Sequence, residues 1–146
     1  MKKIACFLFL IIFGVNVTAQ NENIESLIKD INNDQLSWIC NYGCSLYLKS
    51  VAADSLIKIG KTATKKLLKH LNDRDRGIIT HYILSTIWIN KLELSSSALN
   101  YAKNKTIEIT FCGLYFIEKE GHLYSDQNVL NENKKKWVEF IKKNSR

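Results

Sequence analysis

The sequence lacks the motifs by which common enzyme and cofactor sites are recognised. It contains no HExxH or GxSxG motif, no phosphate-binding glycine loop and no dinucleotide fingerprint, and its six glycines are scattered along the chain. The spacer between Cys40 and Cys44 has one residue too many for the two-residue spacer of redox and zinc motifs. We therefore expect a protein without catalytic activity, cofactor or metal ion.

The apolar run near the N terminus is too short to span a bilayer, since a span needs ~20 predominantly apolar residues. The run covers residues 4–15, follows Met1-Lys2-Lys3 and is followed by Ala19, an arrangement typical of a bacterial secretory signal peptide. Cys6 precedes most of the run, so no lipid anchor is expected. We expect residues 1–19 to be cleaved and residues 20–146 to form one exported domain, periplasmic or secreted.

Acidic residues are too few to balance the basic ones. Removing the two signal lysines lowers the formal net charge from +7 to +5, and the excess collects near the C terminus. Such a cluster can form a solvated helix face or bind phosphate, an anionic membrane surface or an acidic protein. Export and the absence of RNA-binding or zinc-finger motifs argue against nucleic acid, so we expect a protein partner with an acidic surface. Membrane-surface contact through the C-terminal lysines is the alternative. The clustered residues are Lys134, Lys135, Lys136, Lys142, Lys143 and Arg146.

Three cysteines remain after the signal: Cys40, Cys44 and Cys112. An odd number allows at most one internal disulfide. A bridge from Cys40 or Cys44 to Cys112 would join the two halves of the chain and stabilise the fold by ~2–4 kcal/mol. In the alternative, all three are small buried apolar side chains. The sequence leaves both alternatives open.

Helical spacing dominates the chain up to residue 90. Apolar residues recur at helical intervals over residues 23–32, 48–59, 63–71 and 79–90, and Gly60 provides a stop after the second of these helices. Residues 36–47 have no clean period and are predicted to be partly helical. In the polar turn before the fourth helix, Asp73 or Asp75 is expected to cap that helix. The last three helices are predicted to be amphipathic and antiparallel, because tight turns join them.

Part of this region resembles a known helical repeat. The runs Leu56-Ile57-Lys58-Ile59-Gly60-Lys61-Thr62-Ala63, Leu67-Leu68 and Leu71-Asn72-Asp73 are similar to the HEAT-type repeat. The resemblance covers one repeat and the first helix of another, and it implies a protein-binding scaffold. One repeat is too few to stack into a solenoid, so we expect a compact HEAT-like domain.

From residue 105 the period changes from helix to strand. Ile107, Ile109 and Phe111 alternate with more polar residues, which predicts a half-buried strand. A second strand is predicted at residues 114–117, and a turn then leads to a short third strand at residues 122–124.

A final helix is predicted from about residue 131 or 133 to residue 143, docked through Trp137, Phe140 and Ile141. The expected fold class is therefore α+β and mainly α. It comprises compact HEAT-like antiparallel helices followed by a small C-terminal β-hairpin and a final helix within residues 105–143.

The spacing of the histidines and cysteines in the sequence gives little support to a metal site, an acid-base pair or a cysteine nucleophile. His70 near Asp73, and His81 near Asp75, could be imagined as a metal or acid-base cluster, but no metal-ligand spacing accompanies them. The histidines are expected at the surface or partly packed, and the aspartates in the turn and cap. A cysteine nucleophile paired with a histidine lacks any flanking signature.

The three tryptophans could form a platform for sugar or peptide, although core filling is the default. Trp137 is expected in the core, whereas Trp88, at a helix end, is expected to be partly exposed.

The sequence thus predicts an exported protein-binding module without catalytic activity, of the immunity or scaffold type. Its partner-binding residues are expected to include Arg74, Arg76 and Trp88. The alternative is a small thiol-dependent envelope enzyme that uses Cys40, Cys44 or Cys112.

Overall fold

The computed structural model of this chain describes residues 23–40, 44–88, 99–101 and 106–145. The expected signal peptide, residues 1–19, lies outside these ranges. The described residues form an α+β fold that is mainly helical, as predicted. Residues 23–29 form the first helix, α1, and 3-10 turns occupy Asn33–Gln35 and Gly60–Ala63. The other elements are β1 (Leu36–Cys40), β2 (Cys44–Leu48), α2 (Val51–Ile59), α3 (Thr64–His70), α4 (Gly77–Trp88), β3 (Leu99–Tyr101), β4 (Thr106–Phe111), β5 (Leu114–Lys119), β6 (His122–Tyr124) and α5 (Gln127–Asn144).

β1 and β2 form an antiparallel hairpin, so the prediction of partial helix at residues 36–47 is wrong. Leu36 pairs with Leu48 and Trp38 pairs with Leu46, and all four side chains pack against the hydrophobic core. The residues between them, such as the half-exposed Tyr47, point to the opposite face. Two-residue alternation with β-branched and aromatic residues therefore decides the structure of this segment.

α2 begins later than predicted and ends where predicted. The Ser50 side chain caps it by accepting a hydrogen bond from the Ala53 amide over 3.2 Å, which leaves Leu48 in β2 instead of in the helical stripe. Gly60 closes the helix with φ of 71°, a conformation that favours glycine.

α4 is the central helix of the fold and contacts α2, α3 and β5. It was predicted to be amphipathic, but it is buried on several sides, because helices and sheet pack around it. Its buried residues are Gly77, Ile78, Ile79, Thr80, His81, Ile83, Leu84, Ser85 and Trp88.

The C-terminal strands form an antiparallel sheet in the order β3-β4-β5-β6. The predicted strands at residues 107–112, 114–117 and 122–124 correspond to β4, β5 and β6. β3 was not predicted and makes the sheet larger than the expected hairpin, because Leu99 pairs with Ile109 and Tyr101 with Ile107. Ile109, Leu114, Phe116 and Leu123 are buried.

α5 begins at Gln127, several residues before the predicted start. The Asp126 side chain caps it by accepting a hydrogen bond from the Asn128 amide over 2.8 Å. The earlier start places Lys134 in the middle of the helix, where its ammonium group donates to the Lys69 carbonyl at the end of α3. Trp137 is buried, as predicted.

Candidate functional site

An open groove of about 800 Å³ lies between three segments that are distant in sequence. Residues 29–34 contribute one wall, residues 74–76 a second and residues 122–127 a third. We call it the polar groove. Arg74 and Arg76, two of the three residues predicted to bind a partner, both line it.

Asn33 holds the first two walls together. Its side-chain oxygen accepts hydrogen bonds from the Ile78 and Ile79 amides, each over 3.1 Å, so it caps α4 from a distant part of the chain. Its side-chain nitrogen donates to the Arg74 carbonyl over 2.7 Å, and its main-chain amide donates to the Asp75 carbonyl over 2.7 Å. Neither Asp73 nor Asp75 binds these helix amides, so the expectation that one of them caps α4 is wrong.

Asp73 organises the turn before α4, as the sequence suggested. One carboxylate oxygen accepts a hydrogen bond from the Asp75 amide over 2.9 Å, which forms an Asx turn. The other oxygen pairs with the Arg76 guanidinium over 3.0 Å. This contact directs part of the Arg76 charge into the turn and away from any partner.

Arg74 is exposed and is positioned by the third wall. Its Nε donates to the Gln127 side-chain oxygen over 3.2 Å. The nitrogen of the same Gln127 amide donates to the Asn72 carbonyl over 2.8 Å. The first residue of α5 therefore holds the start of this turn, at Asn72, and the Arg74 side chain.

Gly77 is required by close packing at the start of α4. A Cβ atom added there would lie 2.7 Å from the Leu71 carbonyl oxygen and 3.0 Å from a Leu130 methyl group. Backbone on one side leaves little room for relaxation. This contact brings α5 against the turn between α3 and α4.

His122 and Asp34 face each other across the polar groove. His122 Nδ1 lies 2.8 Å from Asp34 Oδ1, and the imidazole also contacts the half-exposed Tyr124 ring at a centroid distance of 6.3 Å. The hydrogen bond to the Asp34 carboxylate raises the pKa of His122, since it favours the charged imidazole. The pair joins β6 to the turn that follows α1.

The charges that line the polar groove are mixed, but several carboxylates are already engaged. Asp34 is paired with His122, and Asp126 caps α5. Among the other lining residues, two exposed side chains are positively charged, Lys29 and Arg74, and one is negatively charged, Asp75. The three lining cations balance the three lining carboxylates in formal charge, but two of the carboxylates already accept hydrogen bonds within the protein.

Trp88 is only 5% exposed, so the prediction that it is partly exposed is wrong. Its indole nitrogen donates to Thr64 Oγ1 over 3.2 Å, and its ring meets Phe140 edge-on at 5.9 Å. The Lys61 ammonium lies 4.5 Å from the ring centroid and covers it further. Although Trp88 ends its helix, α3 and α5 cover it, and it does not line the polar groove.

Cys112 is a free thiol, so the bridge to Cys40 or Cys44 that the sequence left open is not present. It occupies the turn between β4 and β5 with φ of 47°. Burial raises the pKa of Cys112, which reduces its thiolate fraction and its reactivity. The backbone register places Cys40 opposite Cys44, whose side chains lie outside the described part of the structure.

The two histidines considered for metal or acid-base chemistry lie in different environments. Burial lowers the pKa of His70, which lies near the end of α3, and His81 is fully buried in α4. Within the described ranges, no group of three or more His, Cys, Asp or Glu side chains is placed to hold a metal ion.

Sequence reasoning missed three residues that build the polar groove: Asn33, His122 and Gln127. Their partners lie between 41 and 88 residues away in the chain, so no local spacing signals the contacts. For Asn33 the only local sign was its place in the polar run after α1, which predicted the end of a helix.

Comparisons with protein-family models, with curated proteins and with solved structures yield no match. Among the helices that the structure describes, none is long and apolar enough to cross a membrane.

Proposed function

We propose that this protein is an exported protein-binding module without catalytic activity, of the immunity or scaffold type, and that its partner docks in the polar groove. One observation carries the proposal: an exposed arginine, Arg74, stands in an open groove on a turn anchored from two sides, by Asn33 and by Gln127. The HEAT-like resemblance of residues 56–73 points to the same class of function.

The anchoring favours binding because it lowers the entropy cost of recognition. A turn held by side-chain hydrogen bonds from two distant segments is ordered before the partner arrives. Arginine is also a frequent energetic centre of protein interfaces, since its planar guanidinium can bind a carboxylate through two hydrogen bonds.

The charge distribution favours a partner with an acidic surface. The Asp34 and Asp126 carboxylates accept hydrogen bonds within the protein, so the exposed charges left to a partner are Lys29 and Arg74 beside one carboxylate, Asp75. Such charge complementarity speeds association and selects the correct partner more than it increases affinity.

The test is affinity capture from envelope extract with residues 20–146 as bait, followed by titration of the recombinant captured protein against the same bait. We expect Arg74→Glu to weaken binding by at least about tenfold, because it places a carboxylate opposite the partner's acidic surface. Arg76→Glu is a poorer probe, since it also breaks the ion pair with Asp73.

The matched control is Lys136→Glu, which makes the same charge change at an exposed position of α5 that does not line the polar groove. We expect it to leave the affinity nearly unchanged. Equal affinities for wild type, Arg74→Glu and Lys136→Glu would remove the polar groove as the docking site.

The geometry gives less support to a thiol-dependent enzyme. Cys112, the cysteine whose side chain the structure describes, has a raised pKa, whereas a catalytic thiol needs a lowered pKa or an adjacent base. Its side-chain partner is the Ser85 hydroxyl rather than an imidazole.

A further inference from the structure

His81 joins three elements of the fold through one buried imidazole. It lies on α4 and is 1% exposed. Its Nδ1 lies 2.9 Å from the Trp137 indole nitrogen of α5, and its Nε2 lies 2.9 Å from the Phe111 carbonyl oxygen of β4. One side chain thus links the central helix, the sheet and the last helix.

The partners determine which nitrogen carries the proton. An indole N–H can only donate and a carbonyl can only accept. His81 Nδ1 is therefore the acceptor for Trp137, and Nε2 carries the hydrogen that it donates to Phe111. The ring is neutral in this arrangement, and a second proton on Nδ1 would place two N–H groups against each other.

The surroundings of the imidazole offer little to stabilise a charge. The Phe111 and Trp137 rings meet it edge-on at centroid distances of 6.0 and 5.8 Å, and Ser85 Oγ lies 3.4 Å from Nε2. Burial lowers the pKa of His81 to about 4, although the hydrogen bonds to the Phe111 carbonyl and to the Asn133 side chain oppose this shift more weakly.

No carboxylate, ammonium or guanidinium group of the described residues contributes to this shift in pKa. The titratable side chains that contact the partners of His81 are Tyr82, which stacks on Phe111, and Cys112, which follows Phe111 and bonds to Ser85. α5 and β4 also carry charged residues, among them Glu108, Glu132 and Lys136, but none of them contributes to the shift in the pKa of His81. Burial raises the pKa of Cys112, so its thiol stays neutral in acid and cannot balance a charge on His81.

Trp137 is one of the few buried side chains of α5. The buried residues of this helix are Leu130, Asn133 and Trp137, and Phe140 adds a partly buried ring packed edge-on against Trp137 at 5.5 Å. Much of the rest of the helix is polar and exposed. Loss of the Trp137 contact therefore removes a central part of the docking surface.

We propose that His81 is an acid-sensitive latch for the C-terminal helix: a proton on Nδ1 breaks the hydrogen bond from Trp137 and releases α5 from α4 and β4. The docked state requires the neutral ring, whereas the released state exposes an imidazole that accepts a proton below pH 6.5. Docking is thus most stable at neutral pH and weakens as the pH falls from about 6.5 towards 4.

Release of α5 would also dismantle one wall of the polar groove, because Gln127 holds Arg74 in place. This effect on binding rests on the proposed function, whereas the release of the helix can be measured without a partner. If the partner-binding proposal fails, the acid-induced release of α5 can still be tested, and if α5 is not released, the binding proposal still stands.

The test is amide hydrogen exchange of the whole chain between pH 7 and pH 4.5, corrected for the intrinsic pH dependence of exchange. With a pKa of about 4 when docked and about 6.5 when exposed, the equilibrium constant for release rises about 60-fold over this range. We expect α5 amides to lose protection by this factor while α2 and α3 amides lose much less.

His81→Gln is the decisive variant, since an amide side chain keeps one donor and one acceptor but cannot bind a proton in this range. We expect the acid effect on α5 to disappear in it and to persist in His122→Gln, the matched change at an exposed histidine. If His81→Gln does not fold, NMR titration of the His81 ring in the wild-type protein tests the latch instead, and we expect the midpoint of that titration to lie well below 6.5.

Three results would overturn the latch. The first is equal loss of protection in α5 and in the other helices, which indicates ordinary unfolding. The second is an acid effect retained in His81→Gln. The third is a His81 ring that titrates near pH 6.5 in the folded protein.

Discussion

Replacing Asn33 with alanine removes only a small side chain, but we expect it to lower the free energy of unfolding strongly. The side chain is 5% exposed and makes three hydrogen bonds, two from the Ile78 and Ile79 amides and one to the Arg74 carbonyl. Asn33→Ala removes all three and leaves the helix amides without a cap. The free energy of unfolding should fall, because water has poor access to these buried groups.

The size of the loss follows from the contacts. Removing a helix cap costs about 0.5–2 kcal/mol, and a buried polar group left without a partner costs about 1–3 kcal/mol. Because Asn33 serves two amides and one carbonyl, we expect a total loss of about 3 kcal/mol. That is a large fraction of the roughly 5–15 kcal/mol by which small domains are stable.

The measurement is urea unfolding at pH 7, followed by far-ultraviolet circular dichroism. The matched control is Asn128→Ala, since Asn128 is an exposed asparagine in the first turn of α5; we expect a change within about 0.5 kcal/mol there. A similar, small loss in both variants would refute the argument that Asn33 is a long-range cap.

Two further predictions concern titratable groups outside the core. In a Cys40→Ser and Cys44→Ser background, Cys112 should react with a thiol reagent at pH 7.5 at least about fivefold more slowly than in the urea-unfolded chain, because burial raises its pKa. Equal rates would contradict the described burial. The NMR titration midpoint of His122 should lie above that of a free histidine, because the Asp34 carboxylate favours the charged ring. Asp34→Asn should lower it, and an unchanged midpoint would exclude the pair in solution.

Periodicity predicted the parts of the fold in which burial is one-sided. Residues 63–71 and the strands from residue 106 bury one face each, so their apolar residues recur at the period of the element. The same principle applies to the two strands within residues 36–48, where Leu36 and Trp38 alternate in β1 and Leu46 and Leu48 in β2, but the pattern does not run on from one strand to the other. A test for alternation on each side of Gly43 would have indicated the hairpin.

Two other differences have physical causes that no local pattern reveals. α4 is central, so its apolar residues surround the helix instead of forming one stripe. The first two residues of α5 are polar, and Gln127 contributes to the polar groove. The apolar residues Val129 and Leu130 follow them and pack in the core, but they stand apart from the aromatic stripe on which the predicted helix was based. Trp88 was misjudged for a related reason, since a position at a helix end gives no information about the elements that cover it.

The candidate site could be predicted only as far as the turn that carries Arg74 and Arg76. A polar run between two helices with aspartate and glycine is a local signal, and the structure places both arginines in the polar groove. The groove itself exists because Asn33, His122 and Gln127 reach across 41 to 88 residues of chain. Such contacts depend on how the elements pack, and packing is decided by the whole core. The proposed binding role therefore depends on a surface that three segments build together, and disrupting any one of the three should weaken binding even where Arg74 itself is intact.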